Sequence, residues 1–174
     1  MIITLATLLL AFAPPFEAVV TDVHDGDTIK VTKPGETDKI EIRLYGIDAP
    51  EIKVSTRKVD GKRVEIKYEK SSQPYGFTSR AMLSQLIYSK KVTVITESNA
   101  KTFGRVVARI KYDGVDINTK MVESGMAHWY VQYAKHDMQF ETAQARAKAA
   151  KRGLWSDPNA IAPWEYRKKK EVAK

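Results

Sequence analysis

The sequence predicts an α+β fold that is mainly β, with a five-stranded antiparallel barrel and three helices. Two patterns predict it: β-branched runs bounded by Gly and Asp turns come first, and segments with apolar residues paired at i and i+4 follow from residue 76. The length of 174 residues is typical of one domain that can bury a hydrophobic core without disulfide bonds or structural metal ions. The sequence therefore favours a single globular domain.

The first three strands are predicted as a meander. Residues 17–24 and 28–33 are β-branched runs separated by Asp25-Gly26-Asp27, and Pro34-Gly35 turns the chain into a third strand over 39–47. Polar and apolar side chains alternate along this third strand, which places Arg43 on the face opposite the core.

Residues 53–70 interrupt the pattern. They lack apolar periodicity and hold seven basic against three acidic residues, so we expect a long solvated loop, with a small hairpin turning at Asp60-Gly61 as one option. This segment could contact a polyanion, but a solvated insertion without a ligand is the favoured interpretation.

The remaining elements complete the barrel and its helices. A helix is predicted from Gly76 to about Tyr88, followed by strands over 91–96 and 104–112. Asn118 is predicted to cap a short helix that stops at Gly125, and Asp137 a longer helix that ends at Gly153.

Five strands with one helix between strands three and four are typical of an OB-fold barrel. We expect this domain to span residues 17–160, and the basic tail over 161–174 to be disordered.

The apolar N-terminus predicts export. The run Met1–Ala13 is too short to span a bilayer, which needs roughly 20 residues, and Ala11-Phe12-Ala13 matches a signal-peptidase site. The run contains no basic residue, and Pro14 follows the expected cut, so a buried N-terminal strand or helix is the alternative. We expect residues 1–16 to be a signal peptide, and the processed protein to be secreted or periplasmic without stable membrane association.

Charge and cysteine content narrow the classes of function. The net charge of +8 and the pI near 9.5 favour a polyanionic partner, either nucleic acid or an anionic membrane surface. Cysteine is absent, which excludes disulfides, thiolate metal sites and a lipidated N-terminal cysteine.

Acidic groups and an arginine converge at the predicted strand ends. Asp27 ends a turn, Arg43 lies on the third strand, and Asp48 and Glu51 follow it closely. Together they could hold a hard divalent cation, bind a phosphate beside it and leave one carboxylate free as a base. An EF-hand is excluded, because Gly26 at the sixth loop position would put Thr32 where the twelfth position needs glutamate. Each motif alone is also compatible with an ordinary turn.

Several motifs occur together and in order along the chain. They are Asp25-Gly26-Asp27-Thr28, the Arg-Leu-Tyr-Gly-Ile-Asp-Ala-Pro-Glu segment over 43–51, Gln-Pro-Tyr-Gly over 73–76, Phe-Gly-Arg over 103–105 and Gly-Leu-Trp over 153–155. At these residues the sequence resembles the staphylococcal nuclease-like (thermonuclease) family, and the similarity covers about Val19 to Trp155. The resemblance implies an enzyme that cleaves DNA and RNA at the P–O5′ bond and leaves 3′-phosphate ends.

The resemblance also implies a cation and its ligands. Asp27 and Asp48 would bind Ca²⁺ through their carboxylates, and Ala49 through its backbone carbonyl. A main-chain ligand explains why alanine can stand where some family members have threonine. The irregular oxygen coordination that Ca²⁺ tolerates suits such an open site.

Catalytic roles are implied for three further residues. Glu51 would orient and deprotonate the attacking water, while Arg43 and Arg105 would hold the phosphate and stabilise its growing negative charge. Neutralisation of the phosphodiester by cationic groups is what the attack of hydroxide on an anion requires.

Aromatic residues are the implied substrate contacts. Phe103 stands where the family usually has tyrosine, so a phosphate hydrogen bond is lost there, although a base can still stack on the ring. Tyr133 aligns with a nucleotide-contacting tyrosine of the family, while Tyr130 is one position off. Trp129 suits core packing as well as binding.

We expect a monomeric nuclease that prefers single-stranded or easily opened substrate, since a narrow site needs the strand splayed. A non-catalytic nucleic-acid-binding module is the first alternative, and the presence of every acidic and arginine position argues against it. A basic membrane-surface protein is the second, and the alanine-rich face over 137–152 is too weak to insert.

Overall fold

The structure is a computed structural model that describes residues 14–60, 62–68, 72–102 and 104–172. The proposed signal peptide falls almost wholly on residues 1–13, outside the described part, so export stays a prediction. The strands are β1 (Phe16–Val23), β2 (Thr28–Thr32), β3 (Lys39–Leu44), β4 (Ile47–Asp48), β5 (Val54–Val59), β6 (Lys62–Tyr68), β7 (Lys91–Thr102), β8 (Arg105–Tyr112), β9 (Val115–Asp116) and β10 (His128–Trp129). The helices are α1 (Gly76–Ile87), α2 (Ile117–Glu123), α3 (Met138–Ala149) and α4 (Pro163–Val172), with a short 3₁₀ helix over Gly153–Ser156.

The predicted five-stranded barrel is confirmed, with one difference in strand direction. The sheet has the order β3-β2-β1-β7-β8-β9, and an additional pairing between β3 and β8 closes β1, β2, β3, β7 and β8 on themselves. The pairings along this order are antiparallel, but β3 and β8 run parallel, with Ile42 opposite Val106 and Leu44 opposite Ala108. The relative direction of β3 and β8 is set by the way the barrel closes. A local sequence pattern does not indicate which distant strands will pair.

Alternation along the strands separates the core from the outer face. Ile42 and Leu44 on β3 are buried, whereas Arg43 between them is only partly buried. The same period places Ile29 and Val31 of β2 and Ile110 of β8 in the barrel interior. The apolar helix residues Leu83, Ile87, Met121 and Phe140 extend this core.

The segment expected to be a solvated loop contains the hairpin of β5 and β6, so the hairpin option is the correct one. Val54 pairs with Tyr68 and Val59 with Lys62 in an antiparallel ladder. Ladder hydrogen bonds link backbone groups and do not need an apolar face, which explains why hydrophobic periodicity did not reveal these strands.

The described residues form four α-helices where three helices were predicted. The fourth, α4, lies over Pro163–Val172, where we expected a disordered tail. Proline at the first helical position and Glu165 in the first turn are helix-start signals, but they are weak in so polar a segment. No helix in the described ranges is long and apolar enough to cross a membrane.

The N-cap residue of α3 is the predicted one, whereas the N-cap residue of α2 is not. Asp137 accepts hydrogen bonds from the backbone N–H groups of Gln139 and Phe140, as expected. At α2 the cap is Asp116, which accepts from the N–H of Thr119, and not Asn118. Asn118 lies one residue inside the helix and is turned into the core.

The buried Asn118 joins α2 to the barrel. Its Oδ1 accepts a hydrogen bond from the Ile110 N–H at 3.0 Å, and its Nδ2 donates to the carbonyls of Tyr45 at 3.0 Å and Ala108 at 3.2 Å. One amide thereby satisfies polar groups on β8 and on the chain that follows β3. Since these strands form the parallel pair, Asn118 stabilises the closure of the barrel.

Replacing Asn118 by alanine should lower the free energy of unfolding by about 2–4 kcal/mol, because buried backbone groups lose their partners. Urea unfolding at constant pH measures this change. Thr119→Ala is the matched control, since the Thr119 hydroxyl is buried without a hydrogen-bond partner among the described residues. Equal destabilisation by the two substitutions would contradict the role given to Asn118.

His128 on β10 is buried beside β4 and contacts two tryptophan rings. Its side chain is almost fully buried, and its ring lies 4.8 Å from that of Trp155 and 5.3 Å from that of Trp164. Nε2 is buried and has no hydrogen-bond partner in the described part of the chain. Burial lowers the pKa of His128 from 6.5 to about 4, although the nearby Asp48 carboxylate acts in the opposite direction. The fold therefore holds His128 neutral.

Between about pH 6.5 and pH 4 the unfolded chain should bind a proton that the folded chain excludes, so stability falls as the pH falls. Relative to a His128→Gln variant, the protein should lose about 3 kcal/mol of unfolding free energy between pH 7 and pH 4. Urea unfolding at several pH values in one buffer series measures the difference. Parallel pH profiles for the two proteins would show that His128 is not held neutral.

Candidate active site

The turn between β1 and β2 presents Asp27 to the end of β3. Thr28 pairs with Arg43 in the ladder, the Leu44 N–H donates to the Asp27 carbonyl at 2.8 Å, and Asp25 Oδ1 accepts from the Asp27 N–H at 3.0 Å. Gly26 allows the turn to pack tightly, because a Cβ atom there would overlap Ser79 Oγ of α1. The Asp-Gly-Asp motif is thus a tight turn that holds Asp27 beside the end of β3.

Asp48 and Ala49 come from β4 and the residue that follows it. Asp48 pairs with His128 of β10, which holds β4 beside the barrel. Asp27 Oδ2 accepts a hydrogen bond from the Ala49 N–H at 2.6 Å, so the two acidic segments are joined directly. Asp27 is 1% exposed and Asp48 0% exposed, and ionised carboxylates at such depth require close partners.

The Gln-Pro-Tyr-Gly motif holds the backbone of Glu51. Gln73 Oε1 accepts from the Glu51 N–H at 3.1 Å, and the Gln73 N–H donates to the Glu51 carbonyl at 2.9 Å. A Cβ atom at Gly76 would lie 2.8 Å from the same carbonyl, so glycine is required for the close approach of α1. The side chain of Glu51 is 33% exposed and so remains open to water.

Arg43 bridges the two buried carboxylates. One guanidinium nitrogen donates to Asp27 Oδ1, and the other lies 2.6 Å from Asp48 Oδ1. Burial raises the pKa of Asp27 above its ordinary value, with further upward contributions from Asp25 and Asp48, and Arg43 opposes them. Burial alone would lower the pKa of Arg43, but the carboxylates of Asp27 and Asp48 raise it overall. The ionised form of Asp27 therefore depends on the positive charge that Arg43 places beside it.

Arg167 on α4 also reaches this cluster, and the sequence did not predict it. Its guanidinium donates to Asp48 Oδ1 at 3.1 Å, to Asp48 Oδ2 at 2.8 Å and to Glu51 Oε1 at 2.6 Å. It belongs to a run of basic residues, Arg167–Lys170, and nothing in that run marks it as different from its neighbours. Recognising the helix start at Pro163 would have been the only local signal.

A cleft of about 870 Å³ opens over these groups. Its lining includes the predicted catalytic residues Arg43, Glu51 and Arg105, together with Arg167. Arg105 Nε lies 3.9 Å from Glu41 Oε1, and its side chain is 27% exposed. The structure therefore brings the predicted base and both predicted phosphate-binding arginines to one cavity.

The predicted aromatic contacts divide into three cases. Tyr130 and Tyr133 line the cleft with their ring centroids 4.9 Å apart, and Tyr133 is 64% exposed. Phe103 lies outside the described residues, so its predicted role is untested. Trp129 packs against the core and donates from Nε1 to the Ala134 carbonyl at 3.0 Å, which favours the packing interpretation.

The donor set at the carboxylates fits a hard cation. Asp27 and Asp48 both contact one guanidinium, so their oxygens converge on a common positively charged group. Within the described ranges, no three acidic, histidine or cysteine side chains are grouped closely enough to hold a metal by themselves. A cation here would need backbone oxygen and water as well, which suits Ca²⁺.

Comparison with known proteins shows the family to which the chain belongs. A family model described as staphylococcal nuclease homologue matches residues 41–157. An uncharacterized endonuclease of Haemophilus influenzae is 33% identical, with 88% of this chain and 74% of the relative aligned. The micrococcal nuclease of Shigella flexneri is 34% identical, with 94% and 88% aligned. An uncharacterized endonuclease of Escherichia coli is 33% identical, with 93% and 96% aligned. The chain belongs to the staphylococcal nuclease family of phosphodiester-cleaving enzymes.

Proposed function

We propose that this nuclease is Ca²⁺-dependent and sugar-nonspecific, and that it hydrolyses DNA and RNA at the P–O5′ bond to leave 3′-phosphate ends. The observation that carries the proposal is the cluster of Asp27, Asp48, Arg43 and Glu51 at one cleft that Arg105 also lines. Each component has a defined task in cleaving an anion: cation binding, phosphate binding and deprotonation of water.

Glu51 is the proposed general base. Its backbone is held on both sides by Gln73, so the carboxylate is positioned, yet a third of the side chain is exposed to the cleft where water enters. The carboxylate accepts a proton as the water attacks phosphorus. Because a positioned base accelerates proton transfer, its removal costs about 10²–10⁴ in rate.

Arg43 and Arg105 are the proposed phosphate ligands. Both line the cleft, and a guanidinium presents two parallel N–H groups that match two phosphate oxygens. As the water attacks, negative charge accumulates on the equatorial oxygens, so these hydrogen bonds become stronger in the transition state than in the bound substrate. In the structure Arg43 contacts Asp27 and Asp48, and binding to phosphate requires it to loosen these contacts.

Asp27, Asp48 and the Ala49 carbonyl are the proposed Ca²⁺ ligands. When bound there, the ion supplies positive charge that offsets both the buried carboxylates and the phosphate. Support comes from the contacts of Asp27 and Asp48 with one guanidinium. Burial raises the pKa of Asp27 and repulsion from the charges of Asp25 and Asp48 raises it further, so its ionised form needs positive charge nearby. A divalent cation relieves this repulsion more completely than one guanidinium does.

The aromatic side of the cleft supports a substrate of single-stranded character. Tyr130 and Tyr133 line the same cleft as the arginines, and Tyr133 is largely exposed. Every base has a π-face, so stacking tolerates any sequence and either sugar. Paired and stacked bases of a duplex are less available to such rings.

Substituting Glu51 by glutamine should lower Ca²⁺-dependent cleavage of heat-denatured DNA at least about a hundredfold, because the amide cannot accept the proton. The assay compares the two proteins in Ca²⁺ and in EDTA, where cleavage should cease in both. Glu141→Gln is the matched control, since Glu141 is exposed and is not among the residues that line the cleft.

Two results would contradict the assignment. Cleavage unaffected by Glu51→Gln would keep the nuclease but discard Glu51 as the base. DNA binding without cleavage in the unsubstituted protein would instead favour a non-catalytic nucleic-acid-binding module.

Heat-denatured DNA should be cleaved faster than the same DNA in native form, because the strand must be splayed for a base to reach the tyrosines. Initial rates on the two substrates at equal nucleotide concentration measure the preference. A Tyr133→Leu variant should lose most of the difference by losing the stacking surface. Equal rates on both forms for the unsubstituted protein would rule out the preference.

A further inference from the structure

We propose that Arg167 is a third phosphate-binding arginine of the cleft, contributed by the C-terminal helix α4. In the substrate complex its guanidinium leaves Asp48 and Glu51 and binds a phosphodiester of the nucleic-acid strand. The proposal rests on the proposed function of the same cleft. It assigns a role in substrate binding to a segment that the sequence predicted to be disordered.

Helix α4 is held in place beside the cleft by Trp164. The Trp164 ring stacks on Tyr130 with centroids 5.4 Å apart, and it meets the His128 ring edge-on at 5.3 Å. Upstream of the helix, Gln73 Nε2 donates to the Ile161 carbonyl at 2.8 Å. These contacts do not involve Arg167, so the helix can stay docked while the Arg167 side chain changes partners.

The hydrogen bonds of Arg167 compete with the binding of a cation at Asp48 and of a water molecule at Glu51. Asp48 Oδ1 accepts from both Arg43 and Arg167, and Oδ2 accepts from Arg167. A carboxylate oxygen has two acceptor positions, so Asp48 has one position left for a cation. Glu51 Oε1 also accepts from Arg167, which competes with the water that the base must hold. A cation at that last position would bring a third positive charge beside the two guanidiniums, so we expect cation and water binding to displace Arg167.

A displaced Arg167 still lies in the cleft. Its side chain is 39% exposed, it lines the cavity together with Arg43 and Arg105, and its helix is anchored one turn earlier by Trp164. A phosphodiester is the ligand whose charge and two oxygens fit a guanidinium that has lost a carboxylate. Arg43 makes the same kind of exchange, and because Asp48 is the carboxylate that both arginines contact, the two arginines respond together.

The basic character of α4 supports a strand that runs past the cleft. Lys168 and Lys169 follow Arg167 and are exposed. Neutralising successive phosphates releases counterions, so each added contact increases affinity and its salt dependence. The helix therefore fits an oligonucleotide strand better than a single nucleotide.

The test measures binding of a 5′-fluorescein-labelled oligothymidylate in Ca²⁺ by fluorescence anisotropy, in a Glu51→Gln background that prevents cleavage. Adding Arg167→Ala should raise Kd about tenfold or more, because a charge-assisted hydrogen-bonded pair is lost. The slope of log K against log salt should become shallower by about 0.7 for the lost phosphate contact. Arg167→Lys should keep the salt slope and recover part of the affinity, since it retains the charge without the paired donors.

Lys90→Ala is the charge-matched control, because Lys90 is exposed and is not among the residues that line the cleft. It should leave both Kd and the salt slope unchanged. In the background with Glu51 intact, Arg167→Ala should raise KM for the oligonucleotide more than it lowers kcat. Thermal melting in Ca²⁺ verifies that each variant is folded.

Unchanged or tighter binding by the Arg167→Ala variant would overturn the proposal. Faster cleavage at limiting Ca²⁺ would do so too, and would identify Arg167 as an inhibitory contact on Asp48 and Glu51. The proposed function is tested separately by cleavage in the unsubstituted protein. If that protein does not cleave but Arg167→Ala still weakens binding, the binding role stands and the nuclease mechanism fails.

Discussion

The contact of the Arg43 guanidinium with two buried carboxylates is the interaction on which the site depends. Asp27 and Asp48 are both nearly inaccessible, and they come from different elements, the turn between β1 and β2 and the strand β4. Two like charges at this depth would repel and lose hydration unless a cation joined them. The arginine keeps the site assembled, and the same negative charge that it offsets is what would attract a metal ion.

The barrel provides the rigidity that this arrangement needs. Arg43 lies between Ile42 and Leu44, whose burial prevents the strand from rotating or slipping by one residue. Asn118 satisfies backbone groups where the parallel strands close the barrel. Gln73 holds the Glu51 backbone from the start of α1. The polar residues of the site are thus held by strands and helices that core packing and hydrogen bonds outside the site already keep in place.

Sequence patterns predicted the parts with strong local signals. Runs of β-branched residues identified β1 and β2, and alternation identified β3 and the outward direction of Arg43. Asp137 was recognised as the cap of α3. The misassigned cap at Asn118 shows the limit of such reasoning. Asparagine is favoured at caps and in turns, but here a tertiary demand for a buried donor and acceptor placed it inside the helix. The same limit hid α4, whose order comes from Trp164 and Arg167 meeting distant partners.

By itself, the sequence determined the barrel, the family and the set of acidic and arginine residues, because these depend on periodicity and on motifs with fixed spacing. Only the tertiary structure decided the parallel pairing of β3 with β8, the docking of α4 and the presence of Arg167 at Asp48 and Glu51. The physical reason is that the residues in these contacts are far apart in the sequence. A contact between residues more than a hundred positions apart leaves no local periodicity, and it forms only when the packed core brings the two surfaces together.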